Sequence, residues 1–299
     1  YQLEEMLGRG GMGEVWRAHH SMLTRPAAIK VIRSDVLARE PGGIGVAIDR
    51  FEREAKATAS LQSPHTVEVY DFGVSEDGSF YYAMELLDGI DLESLVQRFG
   101  PLPAGRVVHV LEQACRSLEE AHRRGLIHRD LKPANLVLCQ LAFEPDFLKV
   151  LDFGLVRHAA IESIGGPSEE ALTKTGLLAG TPSYMAPEMA VGDRAIDGRA
   201  DVYALGCVAY KLLTGRQVFE EQNLVATLFA HVNKEPAAPS TVTELPVPAD
   251  LDDLVISCLA KDPANRPPSA EALAARMREV EFARPWTRAR AGEWWRTHM

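Results

Sequence analysis

Cysteine is sparse: Cys115, Cys139, Cys207 and Cys258 are far apart in 299 residues and form no C-x-x-C pair. That spacing argues against a zinc site or a disulfide framework, favours a reducing compartment, and reads each thiol as a small buried apolar group. Long apolar runs are also lacking. The longest, 202–210, contains Gly206 and stops at Lys211, well short of the ~20 residues a membrane helix needs. The chain opens on Tyr1 without a leader-like apolar stretch, so no secretion signal is read, and an opening residue other than Met suits a piece of a longer chain. Positive charge is in deficit, with 32 Lys and Arg against 42 Asp and Glu and a net charge of -10. A general nucleic-acid-binding surface is thereby excluded, and any site for an anionic nucleotide must be basic only locally. The expected setting is cytoplasmic, with anchoring left to flanking sequence.

What is present is an ordinary globular composition, 46% hydrophobic and 25% charged, in a chain long enough for two lobes sharing a cleft. No internal repeat is found. Residues 1–8 and 14–19 read as strands around a glycine-rich turn, and 27–32 is a short apolar strand. Pro41, Gly42, Gly43 and Gly45 mark 39–46 as a loop, after which Asp49 caps a helix to about Gln62. Two further strands are expected at 66–72 and 80–87, separated by the turn Ser75-Glu76-Asp77-Gly78-Ser79. From there the period turns helical: Val107, Leu111, Ala114, Leu118 and Ala121 recur at three or four between Pro103 and Gly125. Later helices are expected at 201–213, 224–232, 250–259 and 269–281. A β-rich part followed by a helical part is an α+β, two-lobed design. The stretch 159–172 is polar and broken by Gly and Pro.

Glycines at 8, 10 and 13 in Gly8-Arg9-Gly10-Gly11-Met12-Gly13-Glu14-Val15 allow backbone N–H groups to approach phosphates. Alone the pattern is weak, since a dinucleotide-binding turn or a plain hairpin shows it too. The strand character of 14–18 favours a flap over a nucleotide. Lys30, in the apolar strand Ala28-Ile29-Lys30, needs an anionic partner if it points into a cleft. The nucleotide's phosphates and Glu54 would supply one, with Glu52 the fallback. His128-Arg129-Asp130-Leu131-Lys132-Pro133-Ala134-Asn135 is far more specific. Asp130 can orient or deprotonate a substrate hydroxyl, Lys132 can neutralise a moving phosphoryl group, and Asn135 offers an amide oxygen to Mg²⁺. Asp152-Phe153-Gly154 follows the apolar strand 148–151, and Asp152 supplies a second hard oxygen ligand.

Taken in order with Ala186-Pro187-Glu188, Asp201, Gly206 and Arg266, these motifs resemble the protein kinase family over roughly residues 1–280. Their flavour is similar to bacterial kinases of the eukaryotic type. The resemblance implies a bilobal kinase fold, with a β-rich N-lobe and hinge at 1–87, a helical C-lobe at 88–281 and a Trp/Arg-rich extension at 282–299. It implies ATP with Mg²⁺, or Mn²⁺ in its place, as cofactors, and protein substrates that include the kinase itself. Adenine would lie between Leu7, Val15 and Ala28 on one side and Val137 on the other, on the hinge at Glu85 and Leu87, with Met84 as gatekeeper. Lys132 and Gly180-Thr181-Pro182 are similar to serine/threonine kinases, with Thr181 linking Asp130 to Lys132. Arg129 before Asp130 implies regulation through the activation loop, with Thr173 and Thr175 as autophosphorylation sites. Glu188 and Arg266 match a buried ion pair. A catalytically silent pseudokinase scaffold is the rival, and it predicts loss of Lys30, Asp130, Asn135 or Asp152, none of which is lost. In the extension, Trp286, Trp294 and Trp295 among arginines fit a helix docked on the C-lobe better than an interfacial segment.

Overall fold

The structure is a computed structural model that describes residues 1–10, 13–38, 43–141, 144–153, 182–193 and 195–299. The chain divides into two units. One comprises Tyr1–Gln62, Thr66–Leu87 and Phe153–Ala179; the other comprises Ser63–His65, Asp88–Asp152 and Gly180–Met299.

The first unit is built on a five-stranded antiparallel sheet in the order β1-β2-β3-β5-β4. Its strands are β1 (Gln2–Gly10), β2 (Gly13–His19), β3 (Pro26–Ile32), β4 (Val69–Val74) and β5 (Phe80–Glu85), and the helices are α1 (Ser34–Leu37) and α2 (Gly43–Ala59). β3 lies in the centre because Ala27, Ala28, Ile29 and Ile32 are all buried, which suits a strand covered on both sides. β1 at the edge is exposed along its whole length. α2 begins six residues before the expected start at Asp49, so 43–46 is helix and not loop. The reason is its buried face: Ala47, Phe51 and Ala55 recur every four residues, and that stripe outweighs the glycines in the first turn. β4 likewise starts three residues later than expected, with a bulge between Val69 and Asp71.

The second unit carries a small sheet, β6 (Gly89–Asp91), β7 (Leu136–Leu141) and β8 (Glu144–Val150), in sequential order. Its helices are α3 (Leu92–Phe99), α4 (Ala104–Arg123), α5 (Pro187–Ala190), α6 (Arg199–Thr214), α7 (Leu224–Asn233), α8 (Ala249–Cys258), α9 (Ala270–Glu279) and α10 (Arg288–His298). Asp91 caps α3 by accepting from Ser94 N at 2.9 Å. α6 is buried on nearly every side, as a helix at the centre of a core must be, and Gly215 ends it in the left-handed conformation at φ 73°. Gly206 lets α6 approach α8, because a Cβ there would stand 2.7 Å from Cys258 Cβ. All four cysteines are free and buried. Burial pushes the Cys258 thiol up to about 12 and raises those of Cys115 and Cys207 as well. Among the described residues no helix is long and apolar enough to cross a membrane. The segment after α9 packs on the unit, and α10 lies against β8 with Trp295 buried.

Candidate active site

In the first unit the antiparallel register places Lys30 on β3 opposite Val15 on β2 and Tyr82 on β5. Its ammonium lies 5.8 Å from the Tyr82 ring centroid. Ala28 faces Met84 across the same ladder, and both are buried. Glu54 is half-buried on α2, whereas Glu52 is tied to Lys56 at 2.8 Å across one helical turn. The glycines divide by role. A Cβ at Gly13 would collide with Val31 O at 1.8 Å, so glycine is required there by the close β2–β3 approach. At Gly8 and Gly10 a Cβ would meet nothing within 4 Å, which leaves open space over β1. Leu7 is exposed and Val15 half-buried beside them. Glu85 turns its carboxylate back to accept from Glu68 N at 2.8 Å, and Leu87 closes the unit, half-buried.

In the second unit the loop between α4 and β7 is built around His128. Its Nε2 lies 2.7 Å from the carbonyl of Leu151, and Asp130 N lies 3.3 Å from its Nδ1. A carbonyl only accepts, so Nε2 carries the proton and Nδ1 accepts from Asp130 N–H. The imidazole therefore ties the Asp130 loop to the residue before Asp152. A second tie is Leu151 N–H to Asn135 O, 2.9 Å. Beneath the loop, fully buried Asp201 on α6 accepts from the backbone N–H groups of His128 (2.8 Å) and Arg129 (2.9 Å) and from His122 Nε2 (2.7 Å). Burial alone would raise the Asp201 pKa; these hydrogen bonds and the neighbouring imidazoles bring it below the usual carboxylate range. Arg129 and Asp152 both hold left-handed backbone, at φ 62° and 54°. Such conformations persist where surrounding bonds over-determine them.

Asp130 Oδ2 receives Lys132 Nζ at 2.9 Å, and both side chains stay about one-fifth exposed. Asn135 Nδ2 donates to the Asp130 carbonyl at 2.8 Å, which leaves its amide oxygen as the acceptor face. Val137, half-buried on β7, pairs with Asp91 and Lys149. The structure thus groups Arg129, Asp130, Lys132, Asn135, Asp152 and Asp201 within one unit. Glu188 and Arg266 form a bidentate pair at 2.7 and 2.8 Å, and Arg266 also donates to the carbonyls of Ala260, Arg199 and Lys261. Gly154, Thr173, Thr175 and Thr181 lie outside the described residues. Sequence reasoning missed His122, whose only signal was its place in the last turn of α4. It also missed Arg106, Gln113 and Asp146, three polar residues with no motif around them.

A family model described as the protein kinase domain matches residues 1–277. The serine/threonine-protein kinase pkn3 of Myxococcus xanthus is 40% identical over 285 residues, which cover 95% of this chain and 50% of that protein. The serine/threonine-protein kinase PknB of Mycobacterium tuberculosis is 40% identical over 288 residues, 95% of this chain and 43% of that one. The chain thus spans about half the length of these curated relatives or less. A crystal structure of Rad53 1-466 in complex with AMP-PNP shares the fold, with a TM-score of 0.71 at 23% identity, over 93% of this chain and 64% of that one. With the kinase model spanning nearly the whole chain, and strand-built and helical units in the order that fold requires, this chain belongs to the protein kinase domain family.

Proposed function

We propose that the chain is a serine/threonine protein kinase domain that transfers the γ-phosphoryl group of ATP to hydroxyls of protein substrates, itself included. The observation that carries this reading is the Asp130 site: a part-exposed carboxylate with an ammonium 2.9 Å away, on a loop bonded through His128 to the residue before Asp152. Asp130 orients the acceptor hydroxyl and takes its proton, while Lys132 balances charge on the group in transit. Lys30 holds the phosphates, with Glu54 as its carboxylate partner. Gly8 and Gly10 leave room for backbone N–H groups to meet a nucleotide. On the first unit Leu7, Val15, Ala28 and Met84 supply apolar surface for adenine, and Glu85 and Leu87 the backbone edge.

The donor set suits Mg²⁺, or Mn²⁺ in its place: Asp152 gives a carboxylate, and Asn135, its amide nitrogen committed to Asp130, gives an amide oxygen. When bound, the cation neutralises phosphate charge and orients the γ-phosphoryl group. Two protein oxygens with phosphate oxygens and water complete such a shell.

The test is to incubate the chain with ATP and Mg²⁺, beside Asp130→Asn, and map phosphorylated residues by mass spectrometry. The substitution is expected to slow transfer by roughly 10²–10⁴. Phosphate on Thr173 or Thr175 is expected in the wild type, and Thr173→Ala/Thr175→Ala should lower activity. Nucleotide binding without transfer to any protein would instead favour a pseudokinase scaffold.

A further inference from the structure

We propose that the C-terminal segment carrying Trp286 and Trp295 is a clamp on β8 that positions Asp152, making these two tryptophans positioning residues for cation binding. This rests on the kinase reading above for the role of Asp152.

The clamp converges on Asp146. Its carboxylate is fully buried and accepts four hydrogen bonds: Arg106 Nε (2.9 Å) and Trp286 Nε1 (2.8 Å) on Oδ2, Arg106 Nη2 (2.7 Å) and Trp295 Nε1 (2.8 Å) on Oδ1. Two of the four donors come from residues about 140 and 149 positions later in the chain. The Arg106 guanidinium is held between two indole faces, 4.9 Å from the Trp286 centroid and 3.9 Å from that of Trp294. Arg290 covers Trp286 at 5.0 Å, and His298 stacks on Trp294 at 4.8 Å, so the layers continue on both sides. Gly105 makes room for this on α4, because a Cβ there would stand 3.2 Å from Trp286 N.

Asp146 sits where β8 is least held by its own ladder. Register runs evenly from Leu136–Val150 to Cys139–Phe147, then shifts before Leu141–Glu144. Asp146 itself has left-handed backbone, φ 56°, a conformation that costs residues other than glycine energy, though aspartate less than most. Its surroundings hold it there: Gln113 Nε2 donates to the Asp146 carbonyl at 2.9 Å, Leu148 N–H donates to Gln113 Oε1 at 3.0 Å, and the indoles grip the side chain. A strand that slips by one residue turns every side chain to the opposite face. β8 ends at Val150, so its register sets where Leu151 meets His128 and where Asp152 points. The segment carrying Trp286 and Trp295 therefore fixes the outer end of the strand that leads, two residues beyond its inner end, to the cation ligand.

The test uses the 299-residue chain with Trp286→Phe and Trp295→Phe, singly and together, which remove the indole N–H groups and keep aromatic bulk. Val208→Ala, a truncation of a buried residue on the core helix α6, serves as a control for general destabilisation. Amide hydrogen exchange at Leu148 and Val150 is expected to rise about tenfold in the double variant. Calorimetric titration with a non-hydrolysable ATP analogue should show that the Mg²⁺ concentration for half-maximal tightening rises by up to about tenfold, as for residues that orient a metal ligand. The control should change neither. Unchanged exchange at those amides, or an unchanged Mg²⁺ requirement beside a lowered melting temperature, would overturn the proposal and leave the clamp a stability element only. If the wild type binds no nucleotide, the kinase reading fails; exchange at Leu148 and Val150 still decides whether the tail holds β8.

Discussion

Asp201 shows how one side chain can set a catalytic loop without touching the chemistry. It offers two oxygens to three donors, two of them backbone N–H groups of His128 and Arg129. In Asp201→Asn the amide nitrogen would face a donor, leaving at least one buried N–H unpaired. A loss of about 1–3 kcal/mol per orphaned donor follows, measurable by urea unfolding, with a slower phosphotransfer rate at saturating ATP. His231 on α7 titrates in a different sense. It is fully buried between Tyr203 and Phe219, and burial, with the Lys261 ammonium beside it, depresses its pKa to about 4. The unfolded chain then binds the extra proton first, so this residue's stability contribution is complete above about pH 6.5 and declines as the pH falls toward 4. Between pH 7 and pH 5 the loss is about 2 kcal/mol. His231→Gln should flatten that slope in unfolding curves taken at the two pH values; an unchanged slope would assign it to His65 and His109, which are also depressed by burial. At this scale the motif residues were legible because phosphoryl transfer demands fixed residue types at fixed spacing. His122 was not, because an ordinary histidine near a helix end has the same local sequence.

Elements were legible wherever one periodic face decided them. α4 carries such a face, α6 is apolar on nearly every side, and β3 and β5 read as apolar strands. The start of α2 was not, since Gly43 and Gly45 signal a loop locally while the stripe of Ala47, Phe51 and Ala55 is buried by tertiary packing, α2 lying against α1, β4 and β5. Of the β7–β8 hairpin only the strand 148–151 was read, because Asp146 interrupts the apolar pattern of β8 and its partner Arg106 lies 40 residues away. α6 and α8 meet at Gly206, and Gly206→Ala is expected to cost about 1–3 kcal/mol by overpacking against Cys258, read as a lowered denaturant midpoint with an unchanged slope. Breaking the buried pair with Arg106→Met should cost about 3–5 kcal/mol in the same measurement, since the buried Asp146 side chain would lose its opposite charge and keep only the two indole donors.

Over the whole molecule, Arg266 joins Glu188 in α5 and Arg199 in α6, 78 and 67 positions away, to the nearby carbonyls of Ala260 and Lys261 after α8. Its guanidinium also lies over the Tyr203 ring at 4.8 Å. Arg266→Met is expected to destabilise the helical unit by about 3–5 kcal/mol, visible as a lower melting temperature, because Glu188 and three carbonyls lose their donor together. The motif order, the change from strand to helical periodicity near Leu87 and the acidic balance were set by the sequence alone, since they depend on residue types and short spacings. Tertiary structure decided which charged residues became interior. Nothing local distinguishes Arg106 or Asp146 from surface charges; each is buried because the opposite charge and the hydrogen bonds it needs come from partners tens of residues away. The three tail tryptophans were conspicuous as residues, but where Trp286 and Trp295 dock followed only from the buried Asp146 carboxylate, which receives both of their indole N–H groups.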